Sequence, residues 1–367
     1  MFPVVFRKNL SKVKPYVPGK PIEELERELG ISNASKIASN ENPLGPSPRV
    51  IQAIEKALPN LHRYPDGSAH ALTQALSRHL KVEPDRIFLG HGSNELIVRL
   101  GQMVLNPGDE VLFAEPGFVV YPTTAQLCEA VARPQPLRNF THELKLFERA
   151  MTYKTKIAYI ANPNNPTGTL VPLSEIEAFL KACPPHVLVV LDEAYYEYVD
   201  DPSYGGSLGL LAKYPNLAIL RTFSKAFGLA GLRVGYGIGH PELVATFNKI
   251  REPFNVNSLA QAAAEAALGD LDHVKKIIDL NKSMRRELSD GLVRLGLKPV
   301  PSQTNFIYLE VPNAGDLYQR LLRKGIIVRP MGPGALRVTT GTEEETANFL
   351  TAFKEVLMTN SIRLNAQ

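Results

Sequence analysis

Between residues 86 and 238 the chain alternates short continuous apolar runs with stretches of helical periodicity, and no other feature restricts its fold as much. The runs fall at 86–89, 110–114, 157–161, 187–191, 217–221 and 234–238. Each is a continuous apolar run without alternation, with Arg86, Glu110 and Arg221 only at the ends of three of them, as in a strand buried on both faces. Between them lie helical patterns such as 95–105, with Leu96, Ile97, Leu100 and Val104 at helical spacing, and 173–181 behind a Pro-Leu-Ser start. Strand and helix in turn predict an α/β fold around a mostly parallel sheet flanked by helices, with the ligand crevice at the carboxyl ends of its strands. The chemical residues are expected at that edge.

Beyond Pro253 the pattern changes. Residues 258–268 read as an Ala-rich helix, and 273–296 as a long amphipathic helix with Ile277, Ile278, Met284, Leu288 and Leu292 on its apolar side. The basic side, with Lys275, Lys276, Lys282, Arg285 and Arg286, reads as a solvated face. Strands are expected at 305–311, 325–329 and 336–339, and helices at 316–324 and 343–358, which makes a second, smaller α/β unit. A length of 367 residues fits about two domains. An irregular arm comes first, with Pro15, Pro18 and Pro21 around Tyr16 and Gly19. The expected division is an N-terminal arm (1–35) packing with the small domain, a large domain (36–260) and a small C-terminal domain (261–367).

Composition excludes several classes of function. The 41 Lys and Arg against 37 Asp and Glu leave a net +4 that is spread along the chain. Without a basic block, nucleic acid is not expected as a partner. No apolar run approaches the roughly 18 residues of a membrane span, so no membrane partner is expected either. Pro3-Val4-Val5-Phe6 is too short for a signal-peptide core and is followed at once by Arg7-Lys8, which points to a cytoplasmic protein. Cys128 and Cys183 are the only cysteines, too few for a disulfide scaffold, and no His or Cys lies at zinc spacing. Both read as buried thiols, and no metal is expected.

The groups that carry chemistry follow the strand runs. Lys225 sits in Arg221-Thr222-Phe223-Ser224-Lys225, with Arg233 behind it and Asp192-Glu193-Ala194-Tyr195 upstream. A lysine amine condenses with an aldehyde, and pyridoxal phosphate also needs a group opposite its pyridine nitrogen and a polar cup for its phosphate. Asp192 ends the most apolar run, where a carboxylate is partly desolvated and needs a cation. A protonated pyridine nitrogen is one such cation, worth about 4 kcal/mol at about 4 Å and an effective dielectric near 20; a helix cap or an arginine pair is the other reading. Tyr195 reads either as a hydrogen-bond partner of the phenolic oxygen or as a core tyrosine. In Asn162-Pro163-Asn164-Asn165-Pro166-Thr167-Gly168 the prolines and glycine fix a tight turn at a strand end. Asn165 is then a second donor to that oxygen, or part of a plain connecting turn.

Gly90-His91-Gly92-Ser93-Asn94-Glu95 lies between a strand and a helix, so its backbone amides can hold a phosphate at the helix's positive end. It also resembles the start of a dinucleotide fingerprint, but Glu95 stands where the third glycine belongs. Thr222 and Ser224 can complete a phosphate cup with hydroxyls, and Arg233 with a bidentate charge. Phe118 in Glu115-Pro116-Gly117-Phe118 is a candidate to stack on the ring, or a core aromatic.

These motifs resemble fold-type I pyridoxal phosphate aminotransferases, and among them the histidinol-phosphate aminotransferases. The resemblance runs from Lys14-Pro15-Tyr16-Val17-Pro18-Gly19-Lys20-Pro21 to Leu336-Arg337-Val338-Thr339, and includes Asn40-Glu41-Asn42-Pro43-Leu44-Gly45 and Arg63-Tyr64-Pro65-Asp66. It implies pyridoxal 5'-phosphate as cofactor, Lys225 as its Schiff-base lysine, Asp192 as pyridine partner, and Tyr195 and Asn165 as phenolic-oxygen ligands. Ser93, Asn94, Thr222, Ser224 and Arg233 are implied as phosphate ligands. It further implies a homodimer with shared active sites, in which Tyr64 reaches the phosphate in the other subunit. Arg337 would grip the acidic group of both amino donors, Arg329 would add the charge that a phosphate dianion calls for, Tyr16 would close the pocket, and Asn42 would lie near substrate. Phe118 departs from the tyrosine that many relatives carry.

The implied reaction moves an amino group between L-histidinol phosphate and 2-oxoglutarate, giving imidazole acetol phosphate and glutamate, in histidine biosynthesis. Two enzyme alternatives share the fold and the lysine: an aromatic amino acid aminotransferase and a threonine-phosphate decarboxylase-like lyase. A non-catalytic sensor is a third reading, against which stands a segment before Ser39 too short and Pro-rich for a helix-turn-helix domain.

Overall fold

The computed structural model describes residues 4–358; residues 1–3 and 359–367, the outermost parts of the expected arm and of the expected C-terminal domain, lie outside the described residues. The chain enters through the arm and helix α1 (Ile22–Leu29), whose Leu25 is buried with Ala38, Leu322 and Ile327. A short strand β1 (Ser35–Lys36) precedes α2 (Pro48–Ala57), capped by the Ser47 side chain, and α3 (His70–Leu80). Alternation then sets in: β2 (Ile87–Gly90), α4 (Gly92–Val104), β3 (Glu110–Glu115), α5 (Val120–Leu127), β4 (Val131–Arg138), β5 (Thr141–His142), α6 (Leu144–Ala150) and β6 (Thr155–Ala161). It continues through α7 (Leu173–Ala182), β7 (Leu188–Asp192), β8 (Leu217–Thr222), β9 (Gly235–Ile238) and α8 (Pro241–Ile250).

Eight of these strands form one sheet in the order β2-β9-β8-β7-β6-β3-β4-β5. Strands β4, β3, β6, β7 and β8 are parallel neighbours, whereas β9 is antiparallel to both β2 and β8. Two reversals make β2 run the same way as β8, so β2, β3, β6, β7 and β8 bring their carboxyl ends to one edge. Strand β7 shows why the apolar runs do not alternate. Its Val189 and Leu191 pack with Ile176 and Phe179 of α7, while Leu188 and Val190 pack with Leu96 and Leu100 of α4 on the other face. Truncating one such side chain to alanine costs about 2–5 kcal/mol.

Strands β4 and β5 are absent from the sequence expectation. Strand β4 contains Pro134 and Pro136, and a proline is confined to positions where no ladder N–H is required. Residues two apart present their N–H groups to the same side, which here is the side away from β3, and β5 covers only Leu137 and Arg138 there.

Helices α9 (Ser258–Leu268) and α10 (Leu271–Arg294) lead into β10 (Phe306–Glu310), α11 (Ala314–Arg323), β11 (Ile326–Ile327), β12 (Arg329–Pro330), β13 (Ala335–Thr339) and α12 (Glu343–Met358). The second sheet is antiparallel, in the order β10-β13-β12. The run expected as one strand at 325–329 is split: β11 pairs in parallel with β1 from the N-terminal segment, and β12 pairs with β13. Ala260, Ala263 and Ala264 of α9 and Val274 and Ile277 of α10 pack with the large-sheet core, whereas Leu288 and Leu292 join Leu309, Leu336, Phe349 and Phe353. We therefore place the change from large to small domain within α10, beyond the expected division after residue 260.

Candidate active site

At the shared edge of the large sheet, under β12 and β13, lies a cavity of about 640 Å3. Ser93, Asn94, Phe118, Asn165, Asp192, Tyr195, Thr222, Ser224, Lys225, Arg233, Arg329, Arg337 and Tyr16 all line it. Its charged lining is one-sided: Asp192 is the carboxylate, and Lys14, Lys225, Arg233, Arg329 and Arg337 are the cations. Such a cavity is built for anions.

The register of the sheet explains the convergence. Ala161 of β6 pairs with Asp192, and Asp192 with Leu220 of β8, so the 162–168 turn, Asp192 and the 223–225 loop leave adjacent strand ends. Asp192 is 5% exposed; its Oδ2 accepts a hydrogen bond from the Tyr121 hydroxyl at 2.8 Å and its Oδ1 one from the Ala194 N–H at 3.2 Å. Burial nevertheless pushes its carboxyl up to about 6, against those bonds, and among the described residues no cation is in hydrogen-bonding contact with it. Tyr121 is held in turn by stacking on Tyr159, centroids 4.7 Å apart. Lys225 Nζ donates to the Ser39 carbonyl at 3.3 Å and lies 5.6 Å from the Tyr195 ring. Burial, and then Arg337, push the lysine down to about 7, so the neutral amine is accessible near neutral pH.

A second cluster forms at the start of α4. His91 provides no side-chain cap, leaving first-turn N–H groups of Gly92, Ser93 and Asn94 without a capping acceptor. Arg233 comes against this helix end, donating to Ser224 Oγ at 3.4 Å and to the Ala230 carbonyl at 3.0 Å. Glycine is required for the approach. Gly92 has φ +72°, and a Cβ there would stand 2.6 Å from Arg233 Nη2; a Cβ on Gly235 would stand 2.6 Å from the Ser93 nitrogen. A guanidinium placed on the positive end of a helix is unfavourable unless an anion lies between them. The Thr222 and Ser224 hydroxyls complete the cradle.

The third cluster comes from the small sheet. Arg329 of β12 and Arg337 of β13 are directly opposite in register, an arrangement that like charges disfavour. Among the described residues neither makes an ion pair with a carboxylate. Arg337 is 9% exposed and donates to Asn165 Oδ1 at 2.7 Å and to the Ala38 carbonyl at 2.9 Å, while its buried Nε has no partner among the described residues. Burial lowers its pKa from the ordinary value, with Arg329 acting in the same direction. Because Arg337 occupies the Asn165 carbonyl oxygen, the Asn165 NH2 remains a donor for the cavity. Arg329 donates to the Val17 carbonyl at 2.8 Å and sits 5.5 Å from the Tyr16 ring, so the arm and β12 close the mouth together.

Two expected residues stand elsewhere. Asn42 does not line the cavity: it donates to the carbonyls of Gly45 at 3.3 Å and Ala226 at 3.1 Å, and fastens its own loop behind Lys225. Tyr64 is 82% exposed and stacked on Phe254 at 4.7 Å, outside this cavity. Residues not singled out in the sequence also line it. Tyr121 lies in α5 with no motif around it, Lys14 and Asn40 belong to motifs that gave no hint of their position, and Ser39 lies just before one of them. Beneath the site Arg221 and Glu193 form a buried ion pair at 2.8 Å, with the Tyr204 hydroxyl donating to Glu193.

A family model described as aminotransferase class I and II matches residues 33–353. Histidinol-phosphate aminotransferase 1 of Nitrosococcus oceani is 49% identical over 354 residues, spanning 95% of this chain and 96% of that protein. The histidinol-phosphate aminotransferase of Moorella thermoacetica is 46% identical over 357 residues, spanning 96% and 92%. Among solved structures, the histidinol-phosphate aminotransferase of Sinorhizobium meliloti in complex with pyridoxal-5'-phosphate superposes with a TM-score of 0.90 at 31% identity, covering 96% of this chain and 98% of that one.

Proposed function

The chain belongs to the class I and II aminotransferase family, and from that premise we propose that it exchanges an amino group between L-histidinol phosphate and 2-oxoglutarate, giving imidazole acetol phosphate and glutamate, a step of histidine biosynthesis. The observation that carries the choice of substrate is the pair Arg329 and Arg337, opposite in register and, among the described residues, without ion-pair partners, at the mouth of a cation-lined cavity. A substrate with only a carboxylate has no need of the second guanidinium, whereas a phosphate dianion does.

The residues present fit pyridoxal phosphate. The cradle of Gly92, Gly235 and Arg233 at an uncapped helix end suits its phosphate, the cation-poor buried Asp192 suits a protonated pyridine nitrogen, and the desolvated Lys225 suits its aldehyde. When bound, the cofactor supplies a sink for the electrons left on the substrate carbon after its proton is removed. Lys225 would be the attachment point and the base that takes that proton and returns it; a pKa of about 7 suits both duties. Asp192 keeps the ring nitrogen protonated. Tyr195 and Asn165 would donate to the phenolic oxygen, Ser93, Asn94, Thr222, Ser224 and Arg233 would hold the phosphate, and Phe118, edge-on to Tyr121 at 5.8 Å, would stack on the ring. Arg337 orients the acidic group of each substrate in turn, Arg329 adds the second charge that a phosphate dianion calls for, and Tyr16 closes the pocket. One site that serves two amino donors in succession gives ping-pong kinetics.

We infer a homodimer as well. Tyr64 is exposed on its own chain and its partner Phe254 sits at φ +57°, so the stacked pair stands ready to be covered by a second copy and to reach that copy's phosphate site. The reaction is tested with purified protein and a panel of amino donors against 2-oxoglutarate, read by cofactor absorbance. Histidinol phosphate and glutamate should convert the cofactor. Conversion by phenylalanine and tyrosine alone overturns the phosphate reading, and release of carbon dioxide without need of an oxo acid marks a lyase.

A further inference from the structure

We propose that Asn40 is a positioning residue for Tyr195: its amide donates to the phenol oxygen and so leaves the phenolic proton to be given into the cavity. The proposal rests on the reading of Tyr195 as a donor to the cofactor's phenolic oxygen, and adds what aims that donor.

Two hydrogen bonds to Thr339 orient the amide. Thr339 Oγ1 accepts a hydrogen bond from the Asn40 backbone N–H at 3.0 Å and donates its own proton to Asn40 Oδ1, also at 3.0 Å. With the amide oxygen occupied, the NH2 group faces Tyr195 and donates to its hydroxyl oxygen at 2.8 Å. Among the described residues, no acceptor receives the Tyr195 proton in return. Asn40 is 1% exposed, so water does not compete for these bonds. Its φ of +55° is left-handed, a region that asparagine enters more readily than most residues. Thr339 lies on β13, the strand that carries Arg337, so the relay ties the substrate-binding strand to the cofactor's tyrosine. The charged and titratable groups around Tyr195 are Arg337, Asp192, Tyr16, Lys225, Tyr121 and Tyr198, and Asn40 is the neutral group among its neighbours that donates directly to its oxygen. Burial raises the Tyr195 pKa, and the Asn40 bond works against that rise.

Asn40→Asp keeps the shape and the left-handed backbone but offers an acceptor where the donor stood. The Tyr195 hydroxyl then donates to position 40 and is lost to the cofactor. Without that bond, the phenolic oxygen holds more tightly the proton it shares with the Lys225 nitrogen. The absorbance of the cofactor-loaded protein should therefore titrate about one pH unit higher than in the wild type, and the cofactor dissociation constant should rise about tenfold. Tyr195→Phe should produce the same shift. In the Tyr195→Phe background Asn40→Asp should add nothing, whereas a mere effect of added negative charge would be additive. Thr339→Val, which frees the amide to turn, should shift the midpoint in the same direction, and Thr339→Ser should restore it; this pair decides the matter if Asn40→Asp does not fold. A wild-type midpoint in both Asn40→Asp and Thr339→Val, or an additive double variant, overturns the role of Asn40 while leaving Tyr195 as assigned. A wild-type midpoint in Tyr195→Phe removes the tyrosine's role and the proposal with it.

Discussion

Replacing Asp192 with asparagine should stabilise the cofactor-free protein and cripple the loaded one. The carboxyl is buried and its pKa is raised from an ordinary 3.8 to about 6. An acid whose folded pKa is raised ionises first in the unfolded chain, so the folded state loses stability as pH rises from 3.8 towards 6 and stays penalised above that. At roughly 1.4 kcal/mol per unit, the full penalty is about 3 kcal/mol at pH 7.5 and about 1 kcal/mol at pH 4.5. Asparagine keeps an acceptor for the Tyr121 hydroxyl, but its NH2 faces the Ala194 N–H and forfeits that 3.2 Å bond, at about 1 kcal/mol. Urea unfolding of the cofactor-free variant should thus show a net gain of about 2 kcal/mol at pH 7.5 that vanishes near pH 4.5. The loaded variant lacks the partner of the ring nitrogen. A Coulomb term of about 4 kcal/mol corresponds to about a thousandfold slower single turnover with glutamate. A cofactor-free variant less stable than wild type at pH 7.5, or a single turnover within tenfold of wild type, would refute the reasoning.

Arg329→Gln should raise KM for histidinol phosphate about 10- to 100-fold, the worth of one charge-assisted bond, and leave KM for glutamate within about threefold; equal effects on both in steady-state kinetics would deny the second arginine its phosphate role. Gly92→Ala should drive a Cβ into Arg233 from a backbone at φ +72°, weakening cofactor binding about tenfold or more in an absorbance titration, whereas unchanged affinity would remove the cradle from the account. His142 is fully buried and burial lowers its imidazole to about 4, so it contributes stability above an ordinary pKa of 6.5 that is lost as pH falls towards 4. The stability difference between wild type and His142→Leu should change by about 3 kcal/mol between pH 7 and pH 4 in denaturant titrations; a pH-independent difference would contradict a neutral buried ring.

The sequence made the large sheet legible because its central strands are buried on both faces, as the continuous run through Val189, Val190 and Leu191 records. Where a strand is exposed the signal fails. Strand β4 alternates in burial and carries two prolines that only a half-open edge tolerates, and nothing local distinguishes it from a loop. The split at Val328 was hidden for another reason: residues 325–329 read as one strand, and the partners of β11 and β12, β1 and β13, are decided by packing across the molecule. In the site, Lys225, Asp192 and the 90–95 loop carry their chemistry in their own neighbours along the chain. Tyr121 and Asn40 do not, since each matters through a single contact with a residue distant in sequence, Asp192 and Tyr195. Asn40 and Asn42 stand two apart in one motif, and only the left-handed turn at Asn40 and the Thr339 hydroxyl decide which of them faces the cavity.

The covalent use of Lys225 is the claim from which the rest follows, and reduction tests it directly. The cofactor-loaded protein is treated with borohydride, digested, and its peptides weighed. The account predicts one pyridoxyl-bearing peptide, modified at Lys225; a modification at another lysine, or a cofactor that washes away unreduced, would contradict it.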